Sequence, residues 1–267
     1  MRSPRVKAAR RLAKRAFRQR DRLFLAEGPQ AVGEALASGA AVTELFVTAA
    51  AAARHAALVA RAGQSGTATH VVSGEVMAAL AQTATPQGLL AVSEFVDVPL
   101  SSVLDAAPRL VVVLAHVRDP GNAGTVLRTA DAAGADAVIF TDASVDPYNG
   151  KCVRASAGSL FHLPVVAGTR LDAAADSLRS AGMRIVAADG RGSRTLDEAI
   201  AAGTLSSPTA WLFGNEAWGL PGESLSLADD SVAVPIYGRA ESLNLAIAAA
   251  VCLYASARAQ RPCPRDV

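Results

Sequence analysis

The sequence predicts an α/β fold in two parts, a small layered domain followed by a larger parallel-sheet domain. Three observations carry this prediction. Short apolar runs alternate with helix-patterned segments along the 267 residues, as stacked βα units require. The run Leu110-Val111-Val112-Val113-Leu114-Ala115 is continuously apolar, which suits a strand buried on both faces of a parallel sheet. Between the two parts, segment 99–108 strings Pro, Ser and Asp loosely together and reads as a linker.

The elements follow in order. Residues 1–23 read as a basic, weakly amphipathic helix or as a tail that orders on RNA. Phe24–Glu27 is a short apolar run ended by Gly28-Pro29, and Pro29 suits the first turn of a helix reaching Ser38, before Gly39. Val42–Thr48 alternates apolar and polar residues with β-branched ones, which predicts a strand. A helix over 50–62, a strand near 69–72, a short helix over 75–81 and a strand over 88–95 complete the small domain, 24–98. In the second domain, 109–267, strands are expected at 110–115, 137–140, 165–166, 184–187, 210–213 and 231–235. Helices are expected at 123–133, 171–181 and 243–259.

Composition narrows the function classes. With 51% hydrophobic and 19% charged residues, the chain can bury a sizeable core and is not a disordered polymer. Three cysteines, Cys152, Cys252 and Cys263, are too few and too scattered for a disulfide framework. The absence of a C-x-x-C pair or a His/Cys cluster argues against structural zinc, and no metal is expected. The longest apolar run, near 245–257, falls short of the ~20 residues that cross a bilayer. No apolar stretch follows the basic N-terminus, so no signal peptide is expected. A soluble, cytoplasmic protein is the expectation.

The formal charge of +2 hides an asymmetry. Residues 1–28 hold ten basic and two acidic residues, a charge of +8, while the rest of the chain carries −6. A block of like charge is a common nucleic-acid footprint, because each arginine can neutralise a phosphate and release counterions. Solvated helix surface is the plainer explanation of the same residues.

Three glycine-bearing polar loops stand at C-terminal strand ends. The first, His116 to Ala130, opens a helix with Gly121 and Gly124 where α/β folds place ligands. It lacks the third glycine and the downstream acid of a dinucleotide fingerprint, which counts against a Rossmann oxidoreductase. Arg128 lies one helical turn past Gly124, able to face an anion or simply solvent. The second, Trp211 to Pro221, ends a buried strand in Gly214 and sets Asn215-Glu216 at its tip. The third, Val234 to Leu245, ends a strand at Pro235 and offers Ser242 as the cap of a long alanine-rich helix. Each alone could be an ordinary turn; together they can line one site.

In combination the motifs resemble the SpoU (TrmH) family of the SPOUT methyltransferases. The resemblance rests on D-P-G-N-A-G-T-V-L-R-T-A-D-A-A-G-A, L-F-G-N-E-A-W-G-L-P and V-P-I-Y-G-R-A-E-S-L-N-L-A-I-A-A-A, in order over about 110–258. The stretch 146–159 also looks like family sequence. More weakly, 17–95 resembles the L30e-like RNA-binding domain that precedes many members.

The resemblance implies a parallel α/β sheet whose C-terminal part forms a deep trefoil knot, and S-adenosylmethionine-dependent 2′-O-ribose methylation of RNA by a homodimer. It implies cofactor contacts at Gly214, Asn215, Val234, Pro235, Ile236 and Leu243. Arg128, Asn122, Glu216, Ser242 and Asn244 match catalytic and substrate-orienting positions. Arg128 is then either a transient base or a cation that binds phosphate and stabilises alkoxide. Arg10, Arg11, Arg15 and Arg18 of the basic arm, with Arg154, are assigned to RNA. Ala217-Trp218 and Tyr237 are bulkier than many members carry, which bears on substrate preference. The basic arm and extra domain favour 23S-type ribosomal RNA. A tRNA substrate, or an inactive RNA-binding or ribosome-assembly protein of the same fold, are the alternatives.

Overall fold

The computed structural model describes residues 3–261, so Cys263 lies outside the described residues. It divides into two units, Met1–Val96 with Asp146–His162, and Asp97–Val145 with Leu163–Val267.

In the first unit, helices α1 (Pro4–Arg11) and α2 (Arg15–Asp21) lead into strand β1 (Leu23–Glu27). Then come α3 (Pro29–Ala37), β2 (Val42–Thr48), α4 (Ala49–Arg54), α5 (Ala56–Gln64), β3 (Ala68–Val72), α6 (Gly74–Leu80) and β4 (Leu89–Glu94). The helix expected over 50–62 is two helices, because His55 leaves the helical backbone at φ −117°. The sheet order is β1-β4-β2-β3, with β4 antiparallel to both neighbours and β2 parallel to β3.

Residues 3–23 are not a free arm. Val6, Ala9 and Leu12 fall on one helical face and join Leu25, Phe46, Met77, Leu80, Leu90 and Val92 in one buried cluster. Arg18 corrects an expectation. It is 3% exposed; its Nε and Nη2 donate to Asp146 Oδ2 at 2.9 and 2.6 Å. Its Nη1 donates to the Leu12 and Ala13 carbonyls at 2.9 Å each. With four of its five N–H donors bonded and the side chain buried, this guanidinium tethers the chain and is not presented to RNA. Charge counting sees the cation and not the buried carboxylate 128 residues away. Arg10, Arg11 and Arg15 are exposed.

Segment 146–162, expected within the second domain, packs in the first unit. Tyr148 is buried, stacked on Phe95 at 3.7 Å and near Phe24 at 4.8 Å, and its hydroxyl accepts from the Val96 N–H.

The second unit begins with α7 (Leu100–Asp105), where a linker was expected; Val103 is buried in the unit's core, which anchors the segment. β5 (Leu110–Leu114), α8 (Pro120–Ala133) and β6 (Ala137–Thr141) follow, and α9 (Gly150–Ala155) belongs to the segment that packs in the first unit. The second unit resumes with β7 (Val165–Thr169), α10 (Leu171–Ser180), β8 (Arg184–Ala188), β9 (Arg194–Thr195) and α11 (Leu196–Ala201). β10 (Thr209–Phe213), α12 (Gly222–Leu225), β11 (Asp230–Ala233) and α13 (Leu245–Gln260) complete it. The seven strands are all parallel in the order β7-β6-β5-β10-β8-β11-β9. β5 and β10 are buried at every position, as parallel strands covered on both faces must be. The chain runs outward from β5 through β6 to β7, then returns to build the other half. Open α/β sheets bind ligands at such a reversal, which here falls at the C-terminal ends of β5 and β10. Among the described residues no helix is long and apolar enough to cross a membrane.

Candidate functional site

The loop after β5 is shaped by its caps. Asp119 is the N-cap of α8: its Oδ1 accepts from the Gly121 and Asn122 N–H groups at 2.5 and 3.1 Å, and Pro120 presets the first helical φ. Asn122 is thereby fixed in the first turn. His116, just past β5, sits in the left-handed region at φ +60°, a conformation that histidine adopts more readily than most residues. Arg128, further along α8, is exposed, and no hydrogen bond or ion pair engages it among the described residues.

After β10 the chain turns tightly. A Cβ on Gly214 would stand 2.5 Å from the Gly219 carbonyl oxygen and 2.7 Å from Leu220 Cγ, so only glycine fits. Asn215 and Gly219 exchange backbone hydrogen bonds at 2.8 and 3.0 Å. The Asn215 side chain donates to the His116 carbonyl at 3.0 Å and accepts from the Ala217 N–H at 2.9 Å. These bonds occupy both atoms of its amide, so Asn215 acts here by pinning the β10 loop to the β5 loop. Glu216 does the same from the next position. Its carboxylate accepts from the Arg118 and Asp119 N–H groups at 3.3 and 3.1 Å and from Asn122 Nδ2 at 3.3 Å.

After β11, residues 234–243 make no backbone–backbone hydrogen bond among the described residues. Val234 and Pro235 are half-buried, and Ile236 and Leu243 are exposed large apolar side chains. Tyr237, 88% exposed, donates its hydroxyl to Asp197 Oδ2 at 2.9 Å, which raises the phenol's pKa through that bond and the neighbouring charge. Ser242 is exposed and is not the helix cap. Asn244 caps α13, its Oδ1 accepting from the Ala246 N–H at 2.9 Å, so the helix starts two residues later than expected. Either residue type can cap, and a capping preference alone does not choose between sites two positions apart.

One chain of side-chain bonds joins the three loops. The Ala246 N–H fixes Asn244 Oδ1, so Asn244 Nδ2 points outward and donates to Asn122 Oδ1 at 3.0 Å. Asn122 Nδ2 must then face Glu216. Asn122, Glu216 and Asn244, expected in one site, are brought together. Arg128 and Ser242 stand outside this chain. Arg154, in the first unit, is paired with Glu27 at 3.3 Å, an anion that also accepts from the Gln82 N–H and the Thr83 hydroxyl. Sequence reasoning gave no role to His116 or Asp119; Gly219 was expected, with Gly214, to let the backbone approach a ligand, and it closes the β10 loop by pairing with Asn215. The Asp-Pro step of a helix N-terminus was the available signal for Asp119. Nothing marked His116, whose role depends on a bond from a residue 99 positions away.

Among the described residues no group of three His, Cys, Asp or Glu could hold a metal ion. The unpaired backbone of 234–243, with Ile236 and Leu243 beside it, fits a ligand that has both a hydrogen-bonding heterocycle and apolar surface.

Comparison with known proteins agrees with this geometry. Residues 109–254 match the SpoU rRNA methylase family, and residues 3–91 match the MRM3-like substrate binding domain. The chain is 34% identical over 249 residues to a 23S rRNA (guanosine(2553)-2′-O)-methyltransferase of Bacillus subtilis, covering 93% of this chain and 94% of that protein. Among solved structures it resembles the AdoMet-bound rRNA methyltransferase from Sinorhizobium meliloti, at a TM-score of 0.82 and 34% identity, over 96% of this chain and 95% of that one. It also resembles the SpoU methyltransferase AviRb from Streptomyces viridochromogenes, at a TM-score of 0.83 and 27% identity, over 97% and 98% of the two chains.

Proposed function

Because the chain belongs to the SpoU rRNA methylase family, we propose that it transfers a methyl group from S-adenosylmethionine to a ribose 2′-hydroxyl of 23S-type ribosomal RNA. The observation that carries this reading is the bonded chain Asn244–Asn122–Glu216, which ties the three loops together at the sheet's switch point. The Bacillus subtilis and Sinorhizobium meliloti relatives are rRNA methyltransferases by name, and the first domain matches a substrate-binding domain.

When bound, the cofactor would supply a methyl group on a sulfonium, from which a neutral thioether departs. Gly214, Val234, Pro235, Ile236 and Leu243 would hold it, largely through the backbone groups that 234–243 leave unpaired. The remaining work is to position the ribose and to accommodate the charge that develops when its hydroxyl loses a proton. A guanidinium keeps its proton in proteins, so Arg128 acts as a cation that grips the adjoining phosphate and stabilises alkoxide, and the proton leaves to water. Asn122 and Asn244 orient the ribose, with Ser242 beside them. Glu216, already accepting three N–H groups, holds Asn122 and the β5 loop in place and is not the base.

The reading includes a cytoplasmic homodimer whose C-terminal part is knotted. Support for the dimer comes from the stripe Ile247, Val251 and Tyr254 on α13, which are 54, 40 and 49% exposed at helical spacing. Arg10, Arg11 and Arg15 contact RNA phosphates, and Arg154 contributes beside them through the donors that Glu27 leaves unused. The test is label transfer from radiolabelled S-adenosylmethionine to ribosomal RNA and to tRNA in parallel, with Arg128→Ala as control.

A further inference from the structure

We propose that Trp218, braced by His116, is the surface on which the target nucleobase stacks. The inference rests on the methyltransferase reading and adds a contact for the base to that for the ribose.

The two tryptophans of the chain are placed oppositely. Trp211 is fully buried on β10, with Nε1 donating to Ser256 Oγ at 2.8 Å. Trp218 is 50% exposed at the tip of the β10 loop, although nothing in the core requires an indole there. A half-exposed indole beside a polar site offers an aromatic face and an N–H to a ligand.

The loop that carries Trp218 is firmly held. Asn215 and Gly219 are paired by two backbone bonds across the tip, and Glu216 is bonded to Asn122 and to two backbone N–H groups of the β5 loop. The indole ring lies 5.5 Å from the His116 imidazole, with the planes inclined at 56°. His116 is held left-handed, and Asn215, from the same loop as Trp218, bonds its carbonyl. Strain of this kind persists where the surroundings fix it, and such places are often functional. The imidazole braces one side of the indole and leaves the ring half open.

The open surface adjoins the residues assigned to the ribose. Trp218 is two positions from Glu216, the partner of Asn122, and its ring contact is with the β5 loop. The residues assigned to the cofactor lie mainly on 234–243. Single-stranded RNA is read by splaying a base out and stacking it on an aromatic face. An indole offers such a face whichever base is presented.

The experiment compares wild type, Trp218→Phe and Trp218→Ala in methyl transfer to protein-free ribosomal RNA. S-adenosylmethionine affinity, melting temperature and RNA quenching of tryptophan fluorescence are measured alongside. Expected is a rise of about tenfold in the KM for RNA in Trp218→Ala, the size of one lost stack. Cofactor affinity and melting temperature stay unchanged, Trp218→Phe recovers most of the loss, and RNA quenches wild type more than Trp218→Phe. An unchanged KM in Trp218→Ala would overturn the proposal. So would an equal loss of cofactor affinity, which would give the indole to the cofactor, or a failure of Phe to rescue. Wild type that labels no RNA overturns the methyltransferase reading itself, and the nucleobase site with it.

Discussion

Asn244 Nδ2 donates to Asn122 Oδ1 at 3.0 Å across 122 residues of sequence. That bond has only one sense, because the Ala246 N–H already occupies Asn244 Oδ1. Helix capping and site geometry are thus two uses of one amide, and they can be separated. Asn244→Asp keeps the oxygen that caps α13 and loses the donor to Asn122. It should leave thermal stability near wild type and slow methyl transfer by about tenfold, the value of a hydrogen bond of ~1.4 kcal/mol. Asn244→Ala loses both functions and should also cost about 1 kcal/mol of stability. Equal rates for Asn244→Asp and wild type would remove this bond from the site.

Arg18 and its exposed neighbours should behave as different classes. Arg18→Met strands the Asp146 carboxylate in a buried setting and should cost about 3–5 kcal/mol in denaturant unfolding. The triple change Arg10→Ala, Arg11→Ala and Arg15→Ala should leave stability nearly intact and weaken RNA binding. Its salt dependence should be shallower by about two to three units, since each phosphate contact contributes roughly 0.7–0.9. An unchanged salt slope would return these arginines to plain solvated surface.

Gly214 should tolerate no side chain. A Cβ placed 2.5 Å from the Gly219 carbonyl forces the loop open and breaks its pairing with Asn215. Gly214→Ala should therefore lose S-adenosylmethionine binding in calorimetry while the far-ultraviolet spectrum stays native. Binding at wild-type affinity would show that the loop's closure is unnecessary for the cofactor.

The two described cysteines should be inert. Burial pushes the Cys252 thiol up to about 12 and the Cys152 thiol higher still, with the Asp146 charge adding to the latter. Neither should react with iodoacetamide at pH 8 until the protein is unfolded, as read by peptide mass spectrometry. Each native thiol keeps a proton that the unfolded chain releases, so this contribution to stability is complete below the ordinary value of 9.0 and is lost as pH climbs toward about 12. Rapid labelling of the native protein at either position would contradict the burial.

The strands of the second unit were legible because a parallel sheet covered on both faces demands uninterrupted apolar runs, and 110–114, 137–140 and 210–213 supply them. The three loops were legible because polar glycine-bearing turns followed those runs. What sequence withheld depends on distant partners. Charge counting could not see that Asp146 buries Arg18, nor pattern that Tyr148 leaves its own sheet's neighbours for Phe24 and Phe95. Ser242 and Asn244 were equivalent as caps until the Ala246 N–H chose. The 99–108 segment read as a linker because Pro, Ser and Asp outweighed a single buried anchor, Val103.

The central claim is most directly tested by radiolabelled S-adenosylmethionine offered to ribosomal RNA and tRNA side by side, with wild type and Arg128→Ala. Label in the 2′-O-methyl fraction of ribosomal RNA, lost in Arg128→Ala, is the predicted result. Label confined to tRNA, or no label in ribosomal RNA from a wild-type protein that binds the cofactor, would contradict it.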